Sequence, residues 1–555
     1  MRGRWGKEPP SRVGIVVADV QTGRDRMRPN LSMRAAAVSL AVLVALAVAA
    51  AAGARSITGT TGNDRLVGTP RADAIRGIGG RDTLLGRGGA DYLNGGQGRD
   101  TIDGGPAADL VLAAYDGSPD AVRCGSGVDV VNADAIDVVA RDCELVGRKI
   151  SQDPYQSDGA QHESEVEPDS FTFGRTTVAT FQVGRRFEGG ATNVGFAVTT
   201  DDGRTWRSGF LPGLTSASVP AGPNGRASDP AVAFDARHGT WLISTLALGS
   251  GVTRLAINRS ADGFTWSAAL NAAEESGAGS EEGIAFDKNW IACDNTATSP
   301  FFGRCYVVYT HSADADMLAV RWSDDGGQTW TLGANIGARP AVGVFPAIRP
   351  NGDLVAVYLL ETGRFGVAAS RSTDGGQTWA PPVRIADVEN ECGIRGFRAF
   401  PLPAADVDAT GRVWATWHDC ESPNSLGNAV FVATSPDGAS WSTPTAVTRG
   451  HDDVLPAIGV DASTGRVAIA FMRSSVGGID TELVESTGDP SRWSAARRLS
   501  VESSALPSMP RTTSGRMLGD YISVHYASGR PLVVWVLALV PVDGALRQAV
   551  YATRA

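Results

Sequence analysis

The chain is poor in the motifs that metal, nucleotide and hydrolytic chemistry most often need. Its 555 residues hold only six histidines and six cysteines. No two cysteines form a Cys-x-x-Cys pair, so a zinc site of that type is excluded. There is no Ser-His-Asp spacing, no His-x-Glu-x-x-His-type motif and no glycine-rich phosphate loop, which removes the enzyme classes built on them. No Lys/Arg run is interleaved with aromatics, and the formal net charge of −10 disfavours phosphate backbones, so nucleic acid is not an expected partner. Beyond Ala52 no apolar run approaches the roughly 20 residues that span a bilayer, and beyond Lys149 no helical period emerges. What is abundant is glycine, 67 residues. Glycine is costly inside helices and serves turns, so the chain reads as β or repeat structure. At 43% hydrophobic and 20% charged the composition is that of a globular protein, and the length suggests two or more units.

The one long apolar stretch, Ala35 to Ala52, follows Arg28 and Arg34 and ends at Ala52-Gly53-Ala54, a small-x-small pattern of the kind signal peptidase accepts. Residues 1–54 are therefore read as a signal-peptide region, with Met27 or Met33 as alternative starts and a membrane anchor as the alternative reading. All six cysteines, Cys124, Cys143, Cys293, Cys305, Cys392 and Cys420, lie after it. An even number in an exported chain predicts disulfides, and their order suggests three local bridges between sequence neighbours. The expected location is extracellular, with no membrane span left after cleavage.

From Gly59 a nine-residue ruler begins. Glycines open the units at 59, 68, 77, 86, 95 and 104. Aspartates follow at Asp64, Asp73, Asp82, Asp91, Asp100 and Asp109, and an aliphatic residue comes two positions after each: Leu66, Ile75, Leu84, Leu93, Ile102 and Val111. The pattern resembles the GGxGxDxUx nonapeptide of RTX (haemolysin-type) calcium-binding proteins. That resemblance implies a parallel β-roll over residues 55–147, with Ca²⁺ held between turns by glycine carbonyls and the six aspartates. Arg71, Pro106 and Ala107 break the glycine pattern, so sites beside them are expected to be weak or empty. A disordered Gly/Asp-rich linker is the alternative. Past Asp109 the ruler loosens, with echoes at Asp120 and Asp129, and a Cys124–Cys143 bridge is expected to cap the end.

Residues 148–555 show short alternating apolar runs between Gly, Asp and Pro turns, an all-β pattern. Ser323 to Trp330 and Ser372 to Trp379 match S-x-D-x-G-x-T-W; Thr199 to Trp206, Ser260 to Trp266 and Ser435 to Trp441 are close variants, and a decayed copy ends at Trp493. This resembles the Asp box (BNR repeat) of sialidases and implies a sialidase-like β-propeller. The boxes themselves read as turn-closing staples rather than catalytic groups. A second phrase, with Asp229-Pro230, Phe345-Pro346, Phe400-Pro401 and Leu455-Pro456, precedes the boxes and starts each innermost strand. Less regular copies near Glu165, Gly283 and Asp520 bring the units to seven, with Arg148-Lys149-Ile150-Ser151 as the outer strand completing the last. Seven blades are expected, six being the alternative.

The loops entering those innermost strands carry His162, Glu163, Glu165, Glu167, Arg226, Asp229, Glu281, Glu282, Asp287, Arg339, Arg395, Arg398, His451, Asp452, Asp453, Arg516, Asp520 and Tyr521. The sialidase resemblance implies a three-arginine carboxylate clamp, a tyrosine nucleophile and an aspartic acid catalyst. Candidates of each type are Arg395, Arg398 and Arg516; Tyr521; and Asp229 or Asp453. The Phe/Tyr-Arg-Ile-Pro motif of the family is missing, and Glu165-Val166-Glu167-Pro168 stands in the first unit instead. The leading expectation is a propeller that binds extracellular glycan or protein ligands. A glycoside hydrolase, an exo-sialidase or related glycosidase with its site in the central funnel, is the alternative.

Overall fold

The computed structural model describes residues 55–156, 159–249, 251–276, 284–337, 340–389, 392–422 and 427–555. The predicted signal region 1–54, and Glu281, Glu282 and Arg339, lie outside the described residues. Strands dominate; helix among the described residues is limited to the single 3₁₀ turns Ser312–Asp314 and Leu506–Ser508. No helix there is long and apolar enough to cross a membrane.

The nonapeptide region winds as a parallel solenoid of about five turns. One sheet contains Ser56–Thr58, Ala74–Arg76, Tyr92–Asn94, Leu110–Ala113 and Val130–Ala133. The other contains Arg65–Val67, Thr83–Leu85, Thr101–Pro106, Ala121–Ser126 and Val138–Val139. Ile75 lies beside Leu93, and Leu84 beside Ile102, so two nonapeptides make one turn. Each x-U-x segment is only one strand long, and its single aliphatic residue points between the sheets. Ile75, Leu84, Leu93, Ile102 and Val111 are all completely buried, and burying each such side chain favours the fold by about 1.5–3 kcal/mol. No unit could bury that residue alone, so the solenoid exists only as a stack. Where the ruler loosens, the turn lengthens: Leu110 pairs with Val130, two residues beyond the earlier spacing. Cys124, in the solenoid core, is bonded to Cys143 at that end.

The solenoid does not stop at a linker. Leu145–Lys149 pairs parallel with Val130–Ala133 and, on its other edge, antiparallel with Ala545–Arg554. The solenoid sheet that begins with Ser56–Thr58 therefore runs without a break into the last sheet of the C-terminal region, Ser523–Ala527, Arg530–Val542 and Ala545–Arg554. The boundary read at 147/148 falls inside this shared strand.

The remaining sheets are antiparallel meanders. Their innermost strands are Val166–Phe173, Arg226–Asp235, Phe286–Cys293, Ala341–Ile348, Ala404–Val407, Asp453–Val460 and Ser523–Ala527. Each packs against the next, and Ser523–Ala527 returns to Val166–Phe173. Five of these strands carry a bulge near their start, centred on Glu167, Asp229, Lys288, Gly343 and Leu455. All five residues have positive φ, between 49° and 66°. A bulge re-aims a side chain out of the pleat, and a left-handed conformation at Glu, Asp, Lys or Leu persists only where packing enforces it. The remaining disulfides join Cys293 to Cys305 and Cys392 to Cys420, each within one sheet region.

Candidate ligand face and cation cradles

The Asp boxes close turns on the outer hairpins. In Ser323 to Trp330, the Asp325 carboxylate accepts the amides of Gln328 and Thr329 at 2.9 and 3.0 Å and the Ser323 and Thr329 hydroxyls at 2.7 and 2.6 Å. The Ser323 hydroxyl takes the Gly327 amide, and the Trp330 indole donates to the Gly327 carbonyl. Ser372 to Thr378 repeats this network. Partial burial works against ionisation of Asp325, but its hydrogen bonds outweigh it and hold the carboxyl at about 2. At Asp437 the amides of Ser440 and Ala439 do the same. A depressed carboxyl stabilises the fold above the unfolded value of about 4 and ceases to do so as pH falls through the folded value. The melting temperature of the full chain is thus expected to fall between pH 4 and pH 2. An Asp325→Asn/Asp437→Asn variant should melt lower at neutral pH and lose less on acidification. An unchanged acid slope in differential scanning calorimetry would count against this role.

The bulged starts of the inner strands gather a buried charged cluster. Asp520 sits at its centre, its side chain fully buried. It accepts from Arg398 Nε and Nη2 at 2.7 and 2.5 Å and from Lys288 Nζ at 2.5 Å. Asp229 lies 3.9 Å from the same ammonium, and accepts the Lys288 amide at 3.1 Å and the Ser228 hydroxyl at 2.8 Å. The Glu167 carboxylate takes the Gln182 side-chain amide, which also reaches Ser228. Burial alone would push the Asp520 carboxyl up, but Lys288 and Arg398 hold it far below the usual range. Glu167 is driven the other way, by burial and then by Asp229, so its carboxyl is raised and keeps its proton more readily. Tyr521 packs edge-on against Trp290 at 5.0 Å. Its hydroxyl is buried without a hydrogen-bond partner, and burial with the neighbouring Asp229 and Glu167 makes it a very weak acid. Beside this cluster, between the inner strands, lies a cavity of about 220 Å³ lined by Lys288, Trp290, Phe345, Asp520, Tyr521 and their neighbours.

Of the residues singled out in the sequence, Glu167, Asp229, Arg398, Asp520 and Tyr521 meet here. Asp453 does not join them: it is fully buried in a two-pronged pair with Arg473 at 2.7 and 2.9 Å. Arg516 donates to the Met509 carbonyl at 2.5 Å, and its own carbonyl takes the Arg398 amide at 2.7 Å. Arg395 is exposed. The three arginines share no common partner. Arg226 donates to the Glu188 and Gly189 carbonyls, and Glu163 lines a second cavity elsewhere. Lys288 escaped the sequence reading altogether. The signal that could have found it is positional: Lys288 stands where the parallel phrases place Glu167-Pro168 and Asp229-Pro230.

The repeat aspartates stack in two columns, Asp64, Asp82, Asp100 and Asp120 in one and Asp73, Asp91, Asp109 and Asp129 in the other. The Oδ1 atoms of Asp82, Asp91, Asp100 and Asp109 accept the backbone amide of the aspartate one turn earlier, Asp82 from Asp64 and Asp91 from Asp73 among them, at 2.7–2.8 Å; Asp73 accepts the Arg55 amide instead. The Oδ2 atoms of Asp82, Asp91, Asp100 and Asp109, and of Asp120 and Asp129 beyond, are buried with no partner. A Cβ placed on Gly77 or Gly86 would strike both an aspartate Oδ2 and the carbonyl oxygen of Gly95 or Gly104, and one on Gly95 would strike the Asp100 Oδ2. Those glycines thus keep open cradles of carboxylate and carbonyl oxygen, the ligand type that a hard divalent cation takes. Burial pushes the carboxyls of Asp91, Asp100 and Asp109 up to about 7, the cost of massed carboxylates with no counter-charge. Asp64 and Asp73 differ. Their Oδ2 atoms already accept the amide and hydroxyl of Thr60 and Thr69. Among the described residues no three His, Cys, Asp or Glu side chains cluster as a metal site, so such cradles depend on backbone carbonyls.

Comparison with known proteins agrees with both halves. Residues 58–91 and 76–111 match the RTX calcium-binding nonapeptide repeat family, and residues 178–401 match the BNR repeat-like domain. No curated protein matches the chain. Among solved structures, the Hadza microbial sialidase Hz136 is similar at 16% identity over 61% of this chain and 66% of its own, TM-score 0.40. The chain thus spans just under two thirds of that sialidase. The intramolecular trans-sialidase from Ruminococcus gnavus is similar at 14% identity over 57% and 91%, TM-score 0.39. An α-L-arabinanase from Penicillium chrysogenum is similar at 13% identity over 59% and 93%, also at 0.39.

Proposed function

From a chain that sets RTX-type calcium-binding nonapeptide repeats ahead of a sialidase-like BNR repeat region, we propose an extracellular, calcium-loaded protein whose C-terminal sheets form a seven-bladed propeller that binds glycan or protein ligands at its channel mouth. Seven inner strands in closed succession support the blade number, and three disulfides suit an oxidising exterior. Residues 1–54 act as the export signal. Calcium is held by the cradles of Asp82, Asp91, Asp100 and Asp109, with Asp64 and Asp73 weaker because Thr60 and Thr69 compete for their carboxylates. The ion supplies the positive charge that lets these carboxylates stay ionised while buried.

One observation carries the binding reading. The cations at the mouth, Lys288 and Arg398, are already committed to Asp520, and Arg395 and Arg516 do not join them. A carboxylate substrate would have to displace Asp520 to be clamped. The cavity wall instead sets Tyr521 against Trp290 and Phe345, with Asp229 and Glu167 buried behind it, a lining that suits sugars or neutral peptide groups rather than acids. The hydrolase reading draws on a different fact: the Tyr521 hydroxyl is buried, unpartnered and close to Glu167 and Asp229, the components of a nucleophile with its acid and base.

A panel of fluorogenic glycosides, sialosides included, separates the two. With the full chain in calcium, no fluorophore is expected to be released, whereas immobilised glycans should retain the protein and lose it on Asp229→Asn. Turnover that Tyr521→Phe abolishes would overturn the binding reading in favour of the hydrolase.

A further inference from the structure

A second cavity, of about 610 Å³, opens where the solenoid meets the first and last sheets. Its wall takes Tyr115 from the solenoid, Lys149 from the shared strand, Trp206 from the first sheet region and Arg547 from the last. Lys149 Nζ stands 3.9 Å, and the Arg547 guanidinium 4.9 Å, from the centroid of the Tyr115 ring. Both cations are only half-buried, and among the described residues no carboxylate oxygen lies within ion-pair reach (4.0 Å) of either. The carboxylates in the wall are Asp134 and Glu163. Asp134 Oδ2 is taken up by the amides of Tyr115, Asp116 and Gly117 at 3.0–3.2 Å. Glu163 faces both cations from further away, and burial raises its carboxyl. One ring thus collects two positive charges, faced by Glu163 and, on the Lys149 side, by the buried Glu165, neither carboxylate closed onto a cation. The Tyr115 hydroxyl is buried with no partner, and Tyr115 itself is held at a φ of 76°. The rim is apolar: Ile136 and Val542 are 53% and 54% exposed, with Leu546 and Trp206 beside them.

We propose that this junction is a binding site for an amphipathic carboxylate, its carboxylate held between Lys149 and Arg547 and its apolar body lying on Trp206, Ile136 and Val542. A guanidinium and an ammonium side by side suit a carboxylate in two-point contact. The exposed aliphatic rim suits a ligand that is apolar beyond its acid group. A cavity of this size admits either a peptide C-terminus or a free aryl or alkyl acid. Because the solenoid and both sheet regions each supply part of the wall, the site is complete only when all three are folded together. The channel mouth plays no part in it.

The test is isothermal titration calorimetry of the full chain in calcium with two matched pairs of probes. One is N-acetyl-Gly-Leu-Phe as the free acid against its C-terminal amide; the other is 3-phenylpropionate against 3-phenylpropanol. The acids are expected to bind about tenfold or more tightly than their neutral partners. Lys149→Met and Arg547→Met, which keep the stems that pack on Tyr115, should each cost about tenfold, and Arg492→Met, at a side chain 86% exposed and away from the cavity, should change nothing. Ile136→Glu, an exposed rim position that disturbs no core, should weaken both acids and serves if either methionine variant misfolds. The tighter of the two acids identifies the source, peptide terminus or free acid. Equal affinity for acid and neutral partner, binding by neither acid, or loss on Arg492→Met overturns the proposal.

Discussion

Chelating calcium from the full chain is expected to lower the melting temperature of the C-terminal sheets, not merely to unfold the solenoid. The cause is the shared strand. Leu145–Lys149 is hydrogen-bonded on one edge to the solenoid and on the other to Ala545–Arg554. Around it, Asn132 donates to the Leu499 carbonyl at 3.3 Å and accepts the Val501 amide at 2.8 Å, and Tyr92 donates to Glu502. Arg148 ties the strand back to the carbonyls of Asp134 and Asp137 at 3.1 and 2.9 Å. If the carboxylate columns lose their ions and the solenoid opens, the last sheet loses its outer strand and those bonds. At about 1 kcal/mol per net hydrogen bond, the loss is on the order of 5 kcal/mol, or roughly 10 °C. The reporter is built in. Residues 55–150 contain no tryptophan, whereas twelve of the thirteen lie after residue 200, so tryptophan fluorescence follows the sheets. A fluorescence midpoint indifferent to calcium, while circular dichroism shows the solenoid melting, would refute the coupling. Gly147 offers a control, because a Cβ there would meet the Asn132 amide nitrogen at 2.7 Å and the Thr553 hydroxyl at 3.0 Å. Gly147→Val should therefore lower the sheet midpoint even in saturating calcium.

The halves of this architecture were legible to different depths. The solenoid could be read almost residue by residue, because a fixed nine-residue period forces each aspartate and each aliphatic into the same environment on every turn. Ile75, Leu84, Leu93 and Ile102 are equivalent in sequence and equally buried. The Asp boxes were legible for the same reason: a local turn is closed by residues within eight positions of one another. The pairing of Leu145–Lys149 with the chain's last strand was visible only because its neighbourhood resembles another outer strand. The channel-mouth cluster was much less legible. Asp520, Lys288 and Arg398 come from positions more than a hundred residues apart, and nothing in their local sequence states that one carboxylate takes both cations. The arginines illustrate the limit. Arg395 and Arg398 are three residues apart and look equivalent, yet one is exposed and the other bound to Asp520. The competition between Thr60 or Thr69 and a bound cation was likewise invisible to a rule written on glycines.

Removing Asp520 is expected to have the largest effect of any single change at the channel mouth. Its side chain is wholly buried and answers two cations, Lys288 at 11% and Arg398 at 19% side-chain exposure. Asp520→Ala leaves both partly buried, with Asp229 at 3.9 Å from Lys288 as the nearest remaining charge. Breaking a buried pair by deleting one partner costs about 3–5 kcal/mol, because the remaining charge cannot regain water. Asp453→Ala is the matched comparison. Arg473 keeps a second partner there, Glu482 at 2.6 Å, so that variant should be clearly less destabilised. If the cost at Asp520 is electrostatic, the triple change Lys288→Met/Arg398→Met/Asp520→Leu should recover most of the lost stability, since a packed apolar substitute for a buried ion network is often neutral. Chemical denaturation of the calcium-loaded chain measures all three, and equal stability of Asp520→Ala and the parent would sink the argument. The same variant bears on function. Freed of Asp520, Arg398 and Lys288 become cations facing the mouth, and a carboxylate ligand that the parent ignores should bind and restore the melting temperature in proportion to its concentration. Asp520 would then be the internal anion that sets what the mouth accepts, keeping acidic ligands out by already occupying their place.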